Sequence, residues 1–356
     1  MSALRRLALL SLACFILIPL PAAAWERGYV QLFATLPDGV RFPEGITANP
    51  ANGDIYVGTF DTVEPNWLFR FDRDGGFVAK RQLGGTPSLG LAFHRHGNKD
   101  HVYIAAVGDF SGTGSRIQRI AANLQGPIED VAQIPSIGAP GPRTVTNPDG
   151  SSDTIAFGSG ARVPNALTFD RAGNLYVSDS FQGAIFRIAN AATCPPACKV
   201  TMLAHDPLLA TAGFPPFGAN GIAFNEHESA LFIANTGDDR ILKLDMKSRE
   251  VTVFAESING ADGVAFDAQG RLWVAANQAD ELVALNKEGL VVEKLGDFRG
   301  VRDESHDGLL FPASLVVLGG EIFVTNLALP LTAAAGDEPE EQVKRYTVSR
   351  IRIPER

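Results

Sequence analysis

Hydrophobic residues along this chain fall in short runs bounded by turn formers, and no stretch holds a helical period over a useful length. One arrangement recurs six times. It opens on a turn with Pro, Gly or Ala, then a polar residue, a small apolar strand, a Gly/Asn/Asp turn and a stronger apolar strand. The copies read FPEGITANPANGDIYVGTF from Phe42, SLGLAFHRHGNKDHVYIAAV from Ser88 and VPNALTFDRAGNLYVSDS from Val163. They continue with GANGIAFNEHESALFIANTGD from Gly218, GADGVAFDAQGRLWVAANQAD from Gly260 and FPASLVVLGGEIFVTN from Phe311. Aligning Ile46, Leu91, Leu167, Ile222, Val264 and Val316 gives spacings of 45, 76, 55, 42 and 52 residues. Strand-built periods of about 40–50 residues predict propeller blades.

Two further strand-like runs follow each copy. After the fourth, 240–245 and 250–255 alternate apolar and polar side chains, and 281–286 and 291–295 do so after the fifth. Period-two alternation means that one face of each strand is buried. Four antiparallel strands per copy and six copies predict an all-β, six-bladed β-propeller. The last copy lacks a fourth strand at the C-terminus, whereas residues 29–36 are unassigned. They are expected to complete that blade, closing the ring and removing the open sheet edges. The long insertions, 135–163, 206–219, 298–312 and 327–342, all belong to links that emerge on one face of the ring, where function is expected.

The 356 residues are 45% hydrophobic and 20% charged, which excludes a disordered chain. A net charge of −9 argues against nucleic acid as a partner. At the N-terminus, Arg5 and Arg6 precede an apolar stretch over residues 7–20 and the small-residue segment Pro21-Ala22-Ala23-Ala24. This pattern reads as a signal peptide over residues 1–24, cleaved after Ala24 to leave one domain over 25–356 with no membrane insertion. The expected location is periplasmic or secreted. The two cysteines beyond the leader, Cys194 and Cys198, lie four residues apart and read as a local disulfide stapling a loop.

Chemistry concentrates at one repeat position, the residue that opens the innermost strand. Around the ring it is Glu44, Leu89, Asn165, Asn220, Asp262 and Ser314. Innermost strands line the central tunnel, so Glu44, Asn165, Asn220 and Asp262 should converge on the axis. Two carboxylates and two amide oxygens make a hard-oxygen cage that suits Ca²⁺, with the two charges matching a divalent ion. Asn and Asp are also ordinary turn formers; their agreement at one repeat position is what favours a metal site.

The segments FPEG at Glu44, VPNALTF at Asn165, GANGIAFN at Asn220 and GADGVAFDAQGRLWVA at Asp262 resemble the senescence marker protein/gluconolactonase/luciferin-regenerating enzyme-like superfamily. The same Glu-Asn-Asn-Asp set is similar to that of diisopropylfluorophosphatase and, more distantly, the paraoxonases. The resemblance implies a six-bladed propeller with a catalytic Ca²⁺ held by Glu44, Asn165, Asn220 and Asp262, and hydrolysis of lactones, esters or organophosphates. Copy two departs from the pattern with Leu89. A lactonase is the leading expectation, with Asp262 as general base or nucleophile and the cation polarising the carbonyl. An arylesterase or organophosphate hydrolase on the same metal, and a non-catalytic binding or scaffold propeller, remain open.

Other groups could complete the site. His306, in a mouth-side loop, is a candidate proton shuttle or a solvated loop residue. Phe214, Phe217, Phe181 and Phe110, with Phe60, could wall a small-molecule substrate. His94-Arg95-His96 and Asp72 to Gly75 read as surface hairpin turns. No Gly-x-Ser-x-Gly is present. The protein is expected to act as a monomer.

Overall fold

Each of the six copies folds into a four-stranded antiparallel sheet in the computed structural model of the chain, which describes residues 29–332 and 334–354. The expected leader and its cleavage point lie outside the described residues. Blade 1 runs from the axis outward as Pro43–Ala48, Ile55–Thr59, Asn66–Phe71 and Phe77–Gly84. Blade 2 is Ser88–His96, Lys99–Ala106, Arg116–Ala121 and Glu129–Gln133. Blade 3 is Pro164–Phe169, Leu175–Asp179, Ala184–Ile188 and Val200–His205. Blade 4 is Ala219–Phe224, Ala230–Asn235, Arg240–Asp245 and Val251–Glu256. Blade 5 is Ala261–Phe266, Leu272–Ala276, Glu281–Leu285 and Val291–Leu295. Blade 6 takes Pro312–Leu318, Glu321–Asn326 and Thr347–Arg352 from the end of the chain and Gln31–Thr35 from its start. Gln31 pairs with Arg350 and Thr35 with Thr347, so the N-terminal strand closes the ring as expected.

Burial follows strand order. The second strands of blades 1, 3, 4 and 5 are buried at every position, whereas the outermost strand of blade 1, Phe77–Gly84, is largely exposed. Apolar side chains of neighbouring blades interlock between the sheets; Trp273 of blade 5, for example, is fully buried against Leu315, Ile322 and Val324 of blade 6. No helix of the described residues is long and apolar enough to cross a membrane.

All six innermost strands carry a β-bulge at the same place. In blade 1 the ladder passes from Pro43 opposite Thr59 to Ile46 opposite Val57, three residues against two. The same step occurs at Ser88/Leu91, Pro164/Leu167, Ala219/Ile222, Ala261/Val264 and Pro312/Leu315. Such a bulge re-aims one side chain out of the alternating pattern. The re-aimed residues are Glu44, Leu89, Asn165, Asn220, Asp262 and Ala313. The sixth assignment corrects the expectation of Ser314, and Leu315 rather than Val316 matches Ile46. Leu315, Val316 and Val317 are all apolar, so their pattern carries no parity from which to read the register.

Blades approach most closely at this bulge. A Cβ on Gly45 would overlap the Leu89 carbonyl of the next blade, and one on Gly90 the Asn165 carbonyl. Gly221 meets the Asp262 carbonyl and Gly263 that of Ala313 in the same way. Blades 3 and 6 have Ala166 and Ser314 there, and a hydroxyl bridges instead. Ser178 Oγ donates to the Asn220 carbonyl at 2.7 Å, and Thr325 Oγ1 to the Glu44 carbonyl at 2.6 Å. Beyond the bulge, Ile46, Leu91, Leu167, Ile222, Val264 and Leu315 form a buried aliphatic ring around the axis.

Two insertions expected as plain loops contain hairpins, Arg143–Thr146 with Ser152–Ile155 and Gly300–Arg302 with Ser305–Asp307. The second turns through Asp303 and Glu304, both at positive φ (49° and 63°), the backbone of a type I′ turn without its usual glycine. Cys194 and Cys198 are disulfide-bonded, and Cys198 N–H donates to the Val131 carbonyl at 2.9 Å, pinning that loop to blade 2. Asp72 to Gly76 is a hairpin turn, as expected. His94 stacks flat on Phe169 at 4.0 Å and Arg95 pairs with Asp100, so that motif is a surface hairpin.

Replacing Gly221 by Ala is expected to destabilise the protein by about 2–3 kcal/mol, because the new Cβ must push two blade backbones apart. Urea unfolding checks this: the midpoint falls while the slope stays constant.

Candidate functional site

A cavity of about 60 Å³ opens at the tunnel end where the bulged residues meet. Its polar lining is Glu44, Asn165, Asn220, Thr236, Asp262 and Asn277, and its apolar lining is Phe60, Leu89, Pro215, Phe217, Phe311, Leu327, Leu329 and Leu331. None of these residues is Lys, Arg or His. The four expected ligands are thus brought together, each no more than 5% exposed.

A second ring of residues orients the first. The position just after each second strand is Phe60, Val107, Ser180, Thr236, Asn277 and Leu327. In blade 3, Asn165 Nδ2 donates to Ser180 Oγ at 2.9 Å, and Ser180 Oγ donates to the Ala219 carbonyl at 2.8 Å. In blade 4, Asn220 Nδ2 donates to Thr236 Oγ1 at 2.9 Å, and that hydroxyl donates to the Ala261 carbonyl at 2.7 Å. A hydroxyl has one proton, and each is spent on the neighbouring blade. Each hydroxyl can therefore only accept from its asparagine, which fixes the amide nitrogen on that side and leaves the amide oxygen for the axis. In blade 5 the relation repeats with Asn277, whose Nδ2 donates to Asp262 Oδ2 at 3.0 Å.

The carboxylates are electrostatically uncomfortable. Burial and the neighbouring charge of Asp262 push Glu44 well above the usual carboxylate range. Burial pushes Asp262 up to about 7, against the opposing pull of hydrogen bonds from Asn277 and Asn220. Glu44 Oε2, Asp262 Oδ1 and Asn277 Oδ1 are buried without a hydrogen-bond partner. Asn277 Oδ1 rests against Gly260, but buried polar atoms are normally paired, so the two unsatisfied carboxylate oxygens at one cavity mark a place built for something that accepts their lone pairs. That fits a hard cation. Among the described residues no three His, Cys, Asp or Glu side chains gather into a ligand cluster, so a cation here would draw on amide oxygens as well as the two carboxylates.

The remaining expectations divide. Phe217 lines the cavity, as does Phe60. Phe110 and Phe181 stand behind them, edge-on to Phe60 at 5.6 Å and tilted against Phe217 at 5.5 Å. Phe214 is 62% exposed and is not part of the lining, because the chain turns inward only at Pro215. His306 is not part of the lining either. The Gly308 carbonyl, 2.9 Å from Nδ1, can only accept, so Nδ1 carries the ring proton, and Nε2 of the neutral ring accepts from Thr347 Oγ1 at 2.8 Å. Burial also lowers the His306 pKa. This is a neutral ring clamping the 300–307 hairpin to blade 6, with both nitrogens engaged, not a proton shuttle.

Sequence reasoning missed Asn277 and the leucines of the 327–331 segment. The signal for Asn277 was present, since it occupies the position of Ser180 and Thr236. Strained backbone gathers near the mouth: Phe42, Phe110, Phe311 and Ala328 all have φ between 44° and 59°, a left-handed conformation that bulky residues rarely adopt.

Residues 215–296 match the family described as the SMP-30/Gluconolactonase/LRE-like region. That segment holds blades 4 and 5, and so Asn220, Asp262 and Asn277. A search of the curated proteins finds no match. Among solved structures, the chain is similar to a luciferin-regenerating enzyme (14% identity, TM-score 0.57, covering 88% of this chain and 92% of that one). It is also similar to regucalcin, a calcium-binding protein from Agrobacterium tumefaciens (16% identity, TM-score 0.56, 90% and 96%). A third is a gluconolactonase from Xanthomonas campestris (14% identity, TM-score 0.52, 90% and 88%). At these identities the likeness is one of fold.

Raised carboxylate pKa values make the metal-free protein pH-sensitive. An unfolded Asp titrates near ~3.9, so below that pH both states are protonated and nothing is lost. Stability falls as pH rises from there through about 7, where the folded Asp262 is finally forced to ionise. In EDTA, Asp262→Asn is expected to raise Tm at pH 8 and leave it nearly unchanged at pH 4. Thermal melts at the two pH values check this.

Proposed function

We propose that this chain is an exported hydrolase of the lactonase type, dependent on a divalent cation at the propeller mouth. The observation that carries the reading is the pair of buried carboxylates, Glu44 and Asp262, meeting in a cavity lined by no Lys, Arg or His and flanked by two oriented amides. Glu44, Asn165, Asn220 and Asp262 would hold the cation, with Asn277 orienting Asp262 from behind. Ca²⁺ accepts such a set and, when bound, supplies Lewis-acid polarisation of a carbonyl.

Asp262 carries the proton chemistry. Asn277 Nδ2 holds its Oδ2, leaving Oδ1 unpartnered in the cavity. As general base, Asp262 takes a proton from water as the water oxygen bonds to the lactone carbonyl carbon. The ring C–O bond then breaks and the proton passes to the leaving alkoxide oxygen, so atoms and charge balance. As nucleophile, the same oxygen would attack the carbonyl carbon as the ring C–O bond breaks, leaving an acyl-aspartate anhydride and an alkoxide; water would then split the anhydride, restoring the Asp262 carboxylate and giving its proton to the alkoxide oxygen. The apolar walls keep bulk water from the reacting groups and strengthen every charge interaction among them.

The match over residues 215–296 supports this reading, as do the gluconolactonase and the calcium-binding protein among the similar folds. The disulfide at Cys194 and Cys198 supports an oxidising compartment, periplasmic or extracellular, as does the leader-like pattern of residues 1–24. The protein would act there as a monomer on a small molecule.

Two measurements test the proposal. With the purified full chain, hydrolysis of a panel of lactones, aryl esters and phosphotriesters should favour lactones and fall about 100-fold or more on EDTA treatment and in Asp262→Asn. Calorimetric Ca²⁺ titration should show affinity about 10–100-fold weaker in Thr236→Val, which frees the Asn220 amide to turn its nitrogen inward. Lactone turnover surviving both EDTA and Asp262→Asn would defeat the reading, and a preference for aryl esters or phosphotriesters would reassign the substrate class.

A further inference from the structure

We infer that the substrate of this site bears an alkyl chain rather than hydroxyl groups, and that the 327–331 segment is the wall that selects it. The inference rests on the hydrolase reading above. A polyhydroxylated lactone needs a donor or acceptor for each hydroxyl it buries, and a site without them leaves those groups unpaired at large cost. Here the polar atoms are all on the floor: the amide nitrogens are spent within the protein, and the oxygens left over are those that would face the cation. Ser180 and Thr236 hold Asn165 and Asn220, and Asn277 holds Asp262. Above them the cavity offers only carbon: Phe60, Phe217, Phe311, Leu327, Leu329 and Leu331 among its walls.

The leucine wall is anchored, not merely draped. Leu327 N–H donates to the Phe311 carbonyl at 3.0 Å, and Leu331 N–H to Glu338 Oε2 at 2.6 Å. Ala328 between them takes a left-handed backbone (φ 44°). Leu329 and Leu331 are half-buried, packed on one side against the cluster of Phe311, Ala313 and Leu327, and they line the cavity as well. A reacting carbonyl would sit on the polar floor while its alkyl substituent lies along these side chains. Each methylene so covered should contribute about three- to fourfold in binding.

The test uses the Ca²⁺-loaded full chain with γ-butyrolactone, γ-octalactone, γ-dodecalactone and glucono-δ-lactone. kcat/KM should rise about thirtyfold or more from γ-butyrolactone to γ-octalactone, with glucono-δ-lactone below γ-octalactone. In Leu331→Asp and, separately, Leu329→Ser, the ratio of γ-octalactone to γ-butyrolactone should shrink about tenfold. A flat or inverted chain-length series in the unaltered protein, or glucono-δ-lactone as the best substrate, overturns the inference. The corresponding γ-lactams, which resist hydrolysis, separate the two levels of argument by calorimetry. If no lactone is turned over, the hydrolase reading falls; lactam affinity that rises with alkyl length still sustains the apolar wall, and affinity indifferent to it removes the wall too.

Discussion

Everything in this molecule depends on how closely six backbones can approach one axis. At the hub, each blade presses on the carbonyl of the next blade's bulged residue. It does so directly, through the missing side chains of Gly45, Gly90, Gly221 and Gly263, or through the hydroxyls of Ser178 and Thr325. Packed interiors tolerate little change in volume, so small residues at these positions are a geometric requirement. The reward is placement. The bulge that permits the approach is also what turns Glu44, Asn165, Asn220 and Asp262 inward, so ring closure and site assembly are one event.

The site is correspondingly divided. Blades 3, 4 and 5 give polar residues in both rings, with Ser180, Thr236 and Asn277 each bonded to the inward residue of the same blade. Blades 1, 2 and 6 give mostly carbon: Phe60, Leu89, Ala313 and Leu327, with Glu44 the one charged exception. One half of the ring prepares charge, and the other half keeps water away from it. The mouth is thus asymmetric although the scaffold that builds it is sixfold.

Much of this was legible in the amino-acid order, for physical reasons. Strand periodicity and the recurring turn expose a propeller because each blade must bury one face and pass the axis in the same way. The four inward polar positions follow because one repeat slot changes from apolar to polar in four copies. Blade 6 was misread by one residue, since Leu315-Val316-Val317 offers no alternation to fix parity, although the Phe-Pro dipeptides at Phe42 and Phe311 mark the correct frame. His306 looked chemical because histidine titrates near neutrality. Only the hydrogen bonds to Thr347 and Gly308 reveal that both of its ring nitrogens are engaged. The leucines of 327–331 lie in an irregular segment, where no period tells which side chains turn inward.

The pairing of Gln31–Thr35 with Thr347–Arg352 has a temporal meaning. A chain synthesised from its N-terminus holds the first strand of that pair long before the second exists, so the circle stays a broken arc until the last residues emerge. Until then the two edges that this latch will cover, on blade 6 and on its own first strand, stand open to any other strand that meets them.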